Sequence, residues 1–245
     1  MAARTDTADP QRKAVIRQGL SVAIATSLYG VSFGALSVAS GFTIWQTCAI
    51  SLLLFSGGSQ FALIGVLGGG GGIGAAIAAS SLLGVRNTLY GFQLTTTLKP
   101  RGLMRIPTAQ MTIDESTAVA IAQQTLPHRR LGFWVTGLGI YAGWNIMTLV
   151  GALAGNAIGD PKTYGLDAAA SAAFLALLWP RLHRREPVAV AIAAAFVAAI
   201  LVPVTPVGIP VIAAALVAVA FGAFRRMGDG DSTAPDTTAP TGDTP

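Results

Sequence analysis

Between Arg17 and Lys99 this chain carries a single charged residue, Arg86, and the stretches 131–159 and 187–224 carry none. About 20 apolar residues in a helix cross the roughly 30 Å of bilayer hydrocarbon, so each stretch can hold one or more spans. Of the 245 residues 52% are hydrophobic and only 11% are charged, less than half the share of about 25% usual in soluble domains. That balance argues against a free-standing cytosolic enzyme. The expected fold class is all-α, a polytopic membrane helix bundle of about seven or eight spans with room for broken or re-entrant helices.

A sequence pI near 9.9 could suggest nucleic acid, but the basic residues flank apolar stretches and no aromatics interleave with them. They report topology. The single cysteine, Cys48, lies in an apolar run and excludes both an internal disulfide and a CxxC site.

Spans are expected near 19–40, 44–67, 72–96, 132–156, 164–180, 188–204 and 207–224. The last two are separated by Pro203, Pro206 and Pro210, which leave a tight hairpin in place of one long helix. The first apolar run exceeds that of a cleavable signal and further spans follow at once, so it reads as a retained helix. The chain thus divides into a cytoplasmic segment 1–18, a membrane domain 19–226 and a disordered tail 227–245 rich in Asp, Thr, Gly and Pro.

Lys and Arg near helix ends stay on the cytoplasmic side. Arg12, Lys13 and Arg17 put the N-terminus there, and Arg225 and Arg226 do the same for the C-terminus. Two cytoplasmic termini demand an even number of crossings, and seven is odd. If the segment 107–127 also crosses, the count is eight, with Lys99, Arg101 and Arg105 outside against the rule. If it stays on the cytoplasmic side, one of 44–67 or 72–96 must be re-entrant, hinged at the glycine run Gly68–Gly72. The crossing is the reading adopted at this level.

There is no GxxxxGK[ST] loop, no HExxH and no nucleophile, histidine and acid set, so no enzyme, cofactor or metal is expected. Three segments carry polar groups where lipid would not tolerate them. FSGGSQF at 55–61 pairs two glycines that weaken a helix with Ser56, Ser59 and Gln60. Such a break is how transporters open backbone groups toward a substrate near the midplane, and Ser56, Gly57, Gly58, Ser59 and Gln60 are taken as substrate-binding. The alternative is a small-residue packing patch.

VRNTLYG at 85–91 places Arg86 and Asn87 deep in an apolar region. A charge at a helix centre costs about 2.5–3.5 kcal/mol on insertion scales, so Arg86 marks a substrate carboxylate site, has a fixed acidic partner, Asp114 or Glu115, or snorkels from a position nearer the interface. Asn87 and Tyr90 are assigned to the same pocket, and in a later span Asn145 is either part of its wall or an interhelical hydrogen bond. TIDEST at 112–117 supplies Asp114 and Glu115, which point about 100° apart on a helix and are candidates for ion or proton coupling. The pairs Gly30 with Gly34, Gly139 with Gly143, and Gly151 with Gly155 have GxxxG spacing, which lets helix backbones approach closely.

Taken together, SGGSQF at 56–61, RNTLYG at 86–91, IDES at 113–116 and GDPKTYGLDAAASAAFLALL at 159–178 resemble the AzlC family, the large subunits of bacterial branched-chain amino acid exporters. The resemblance covers roughly residues 19–180. It implies a multi-pass protein of the bacterial cytoplasmic membrane. That protein would export leucine, isoleucine, valine and sometimes methionine with a small AzlD-type membrane subunit, driven by an ion or proton gradient. The competing class is a passive channel or membrane scaffold in which Arg86, Asp114 and Glu115 hold the bundle together.

Overall fold

The computed structural model describes residues 10–158, 175, 179, 182, 185–206 and 208–229. No strand occurs among them, and they fall into two units. The span expected near 164–180, most of the 159–178 segment and the tail from 230 onward lie outside the described residues.

The first unit holds seven helices: α1 (Pro10–Ala39), α2 (Ile44–Leu53), α3 (Gly57–Gly68), α4 (Ile73–Leu98), α5 (Arg105–Gln110), α6 (Asp114–Ile121) and α7 (Leu126–Ile158). Helices α1 and α7 are long and apolar enough to cross a membrane. They lie against each other in the same direction. Gly19 meets Thr136, Ala23 meets Gly139, Gly34 meets Thr148 and Ala152, and Gly155 meets Ala35. All six glycines of the three GxxxG pairs fall in this one seam. A Cβ at Gly34 would land on the Thr148 carbonyl and one at Gly151 on the Val31 carbonyl, so the backbones touch because no side chain separates them.

The apolar run expected as one span over 44–67 is broken where the FSGG sequence suggested, at 54–56. Thr43 caps α2, its Oγ1 accepting from Gln46 N at 3.2 Å while Thr43 N donates to Gln46 Oε1 at 2.9 Å. The chain then turns back on itself. Helix α2 runs against α7, with Ser51 beside Thr148 and Phe55 on Tyr141, whereas α3 runs alongside α1, with Phe61 on Phe33 and Gly68 beside Ser40. Both ends of the α2–α3 hairpin therefore lie at the C-terminal end of α1. The glycine run Gly68–Gly72 is the outer turn into α4 and not the hinge expected there; Gly70 sits at φ +83°, a conformation that favours glycine.

Helix α4 returns antiparallel to α3, Ala76 packing near Val66 and Arg86 near Gly58, and ends at Lys99, whose left-handed φ of 46° precedes Pro100. The segment expected as a crossing at 107–127 is instead two short helices, α5 and α6, of 6 and 8 residues. It forms a second hairpin, entering from the opposite end. Gln110 reaches Leu52 in the first hairpin, and by Gly132 the chain is back at Val119 and Val15. A 6- or 8-residue helix is about 9–12 Å long, far short of a bilayer, because each residue rises about 1.5 Å.

The second unit consists of α8 (Arg185–Leu201) and α9 (Ile209–Asp229), packed on each other, with Pro203 and Pro206 in the turn that separates them. The proline-broken hairpin expected there is present.

Candidate functional site

The two hairpin tips, 54–56 and 111–113, meet beside the midpoint of α7, at Gly137, Tyr141 and Trp144. Arg86, at the midpoint of α4, faces them.

Polar groups at the first tip are divided unequally. The last carbonyls of a helix have no partner within it, and here side chains from three other helices supply donors. Gln60 Nε2 donates to the Leu54 carbonyl at 2.6 Å and lies 3.4 Å from that of Ser51. Gln110 Nε2 donates to the Leu52 carbonyl at 2.9 Å, and the Tyr141 hydroxyl approaches the same oxygen at 3.3 Å. The N-terminus of α3 receives no such care: Ser56 makes no side-chain cap, and the first bond of the helix is Gln60 N to Ser56 O at 2.9 Å. The amides of Gly57, Gly58 and Ser59 precede that bond. The hydroxyls of Ser56 and Ser59, buried at 7% and 0% exposure, find no hydrogen-bond partner among the described residues. Amides, two hydroxyls and the positive end of a helix dipole are groups that can receive an anion.

Arg86 stands at its edge. A Cβ added to Gly58 would lie 3.0 Å from Nη2 of Arg86, and Nη1 pairs with Asp114 Oδ2 at 2.7 Å. This is the fixed acidic partner that sequence left as the alternative for Arg86, and Asp114 takes the place while Glu115, one residue on, is half-buried at the start of α6. The pair leaves Arg86 Nε buried with no hydrogen-bond partner among the described residues.

The remaining expected residues divide. Gln60 is fully buried and doubly committed, its Oε1 accepting from Trp144 Nε1 at 3.0 Å, so it shapes the break without a free group for a ligand. Asn145 Nδ2 donates to the Tyr141 carbonyl one turn back at 2.7 Å, while its Oδ1 is buried without a partner among the described residues. Asn87 is half-buried beside Arg86, and Tyr90 lies one turn further along the same face. Of the apolar residues around these motifs, Phe61 is core, stacked edge-on against Phe33 and Trp144, and Leu89 is 62% exposed. Gln110, Tyr141 and Trp144, which hold the tips together, carried no sequence signal beyond being polar-tipped residues in apolar surroundings.

A cavity of about 440 Å³ opens between α4 and α5, its lining running from Arg105, Pro100 and Leu98 to Asn87 and Thr112. A second of about 330 Å³ adjoins it, sharing Leu98, Pro100 and Thr108 and adding Lys99, Arg101 and Arg130.

Because Gln60 joins the α2 end to Trp144, Gln60→Leu leaves an indole N–H and at least one carbonyl unsatisfied. The expected loss is about 2–4 kcal/mol, read as a drop of several degrees in the thermal unfolding of the detergent-solubilised protein; an unchanged melting temperature would refute the structural role.

Among the described residues there are helices and no strand, two of the helices are long and apolar enough to cross a membrane, and two opposed helical hairpins meet at mid-length, an arrangement consistent with a membrane helical bundle. The family model described as AzlC protein matches residues 21–158, and the chain belongs to that family. It is 34% identical to an uncharacterized membrane protein of Archaeoglobus fulgidus over 214 residues, covering 84% of this chain and 93% of the relative. It is 28% identical to the inner membrane protein YgaZ of Escherichia coli over 204 residues, 80% of this chain and 82% of the relative. No solved structure matches it.

Proposed function

We propose that this protein is a secondary transporter that exports branched-chain, aliphatic amino acids across the cytoplasmic membrane with a small AzlD-type membrane subunit, using an ion or proton gradient. The observation that carries the reading is the uncapped N-terminus of α3, held at mid-length between two hairpin tips with Arg86 beside it. Transporters place half-helix N-termini at the bilayer midplane to receive an anionic substrate group. The substrate carboxylate takes the amides of Gly57 and Gly58 with the Ser56 and Ser59 hydroxyls, and competes with Asp114 for the Arg86 fork. Release of Asp114 frees the α5–α6 hairpin from α4, and a proton or cation on Asp114 or Glu115 compensates the charge. Tyr90 and Asn145 flank the pocket. The family match and the membrane relatives support a role in membrane transport.

The topology follows from the basic residues. Arg12, Lys13 and Arg17 on α1, Arg129 and Arg130 on the parallel α7, and Lys99, Arg101 and Arg105 at the return of α4 gather at one end, which the charge rule makes cytoplasmic. Helices α1, α4 and α7 cross, and α2–α3 and α5–α6 are re-entrant from opposite sides. With the N-terminus inside, these three crossings carry the chain from the cytoplasmic side at α1 to the opposite side at the end of α7. Reporter fusions after Arg17, between Lys99 and Arg105, and after Arg226 should all read cytoplasmic; a periplasmic signal at any of them overturns the arrangement.

The Arg86–Asp114 pair also favours a second reading, a passive channel or scaffold in which the two residues only hold the bundle. Cells fed branched-chain dipeptides separate the two. With the gene deleted, intracellular leucine, isoleucine and valine should rise. Restoring the gene should bring them down, and an uncoupler should abolish that effect for an exporter but spare it for a channel.

A further inference from the structure

We infer that the cavity between α4 and α5 is the chamber in which the amino acid is loaded from the cytoplasm, with the side-chain carbonyl of Asn87 accepting its ammonium group. The inference rests on the export reading and names how that site is reached. A volume of about 440 Å³ is within the range of small-molecule pockets.

The chemistry of the wall selects the ligand. The hydroxyls of Thr95, Thr108 and Thr112 each donate at 2.7 Å to the carbonyl four residues back, so their protons are used and their lone pairs remain. Asn87 lines the cavity, and its Oδ1 is buried with no hydrogen-bond partner among the described residues. The wall is therefore rich in acceptors, and an ammonium with its three donors is the complementary head. No carboxylate lines the cavity, so the recognition is of a single small cation head and not of a polyamine or a divalent ion. Phe92, Leu94 and Leu98 supply the apolar wall for an aliphatic side chain.

Access comes from the basic end. Lys99, Arg101 and Arg130 line the adjoining space and Arg105 the cavity itself, a cationic approach that draws in the carboxylate before the amine is seated. Asn87 follows Arg86 in sequence, and Arg86 stands at the edge of the α3 N-terminus.

Gly91 offers the test. It lines the cavity, and a Cβ built on it meets no atom within 4 Å, so Gly91→Leu fits the helix and fills the space. In the full-length chain expressed with its membrane partner, the variant should accumulate as wild type and lose at least tenfold of leucine efflux; efflux at the wild-type rate overturns the inference. If Gly91→Leu fails to accumulate, Asn87 decides. Purified wild-type complex should bind leucine at least tenfold more tightly than 4-methylpentanoate, its analogue without the amine. Asn87→Leu should erase that preference, and an unchanged preference overturns the inference. Wild-type protein that exports no amino acid would instead overturn the export reading, so the two failures are distinguishable.

Discussion

Arg86→Ala protein is expected to accumulate at a small fraction of the wild-type level, and adding Asp114→Ala should restore much of it. The single change leaves a carboxylate at mid-length, 19% exposed, without the guanidinium 2.7 Å away. Breaking a buried pair by removing one partner costs about 3–5 kcal/mol, and since Arg86 is a third exposed the cost here is roughly 1–3 kcal/mol. Removing both partners deletes the orphan. Export separates from abundance in this series: on the proposed function the rescued double variant should remain inactive, because the proposed carboxylate site has lost its cationic edge. Arg86→Lys keeps the charge but loses the planar fork, and should fold well yet export poorly. A double variant that exports normally would make the pair purely structural and leave the amides of Gly57 and Gly58 as the whole carboxylate site. Quantitative immunoblotting of membranes alongside efflux measures both.

Gly34→Leu should be more damaging to folding than any change in the site. The glycine sits against the Thr148 carbonyl and Ala152 backbone, so a side chain there forces α1 and α7 apart along their whole shared length. Overpacking of this kind costs roughly 3 kcal/mol or more when backbone, and not a flexible side chain, is the obstacle. Gly74→Leu is the matched control: near the start of α4, a Cβ there meets nothing within 4 Å, and accumulation should be unchanged. Comparable levels of the two variants would mean that the seam is not a determinant of stability.

The break at 54–56 was legible because two adjacent glycines and three polar side chains in an apolar run contradict a continuous lipid-facing helix. Its direction was not. A chain that breaks and continues and one that breaks and folds back have the same apolar pattern, since hydropathy reports depth but not heading. The discriminating signal lay elsewhere, in Lys99, Arg101 and Arg105, which violate the charge rule if 107–127 crosses and satisfy it once that segment folds back as α5–α6. The GxxxG spacing announced close packing but not its partner, because spacing carries no information about which helix arrives. Likewise Arg86 demanded compensation by its position alone. The choice of Asp114 over Glu115 depends on the turn before α6, where the Ser116 hydroxyl accepts from Ile113 N at 3.1 Å and fixes the first residues of the helix.

The parallel seam has a consequence for how the protein is made. Parallel neighbours cannot be joined by a short loop, and α1 and α7 are separated in sequence by all of α2–α6. At a synthesis rate of about 5–20 residues per second, α1 waits on the order of ten seconds in the membrane before its partner emerges. Through that interval its glycine face, built to touch backbone, is covered only by lipid or by the insertion machinery. The fastening of the first tip is complete only later still, because Tyr141 and Trp144 arrive with α7. Assembly is therefore completed late, and membrane proteases that patrol nascent chains act before the seam is closed. Defects in the seam will surface as missing protein, whereas loss of the Ser56 and Ser59 hydroxyls, which bond nothing among the described residues, will surface on the proposed function as protein that is present and silent.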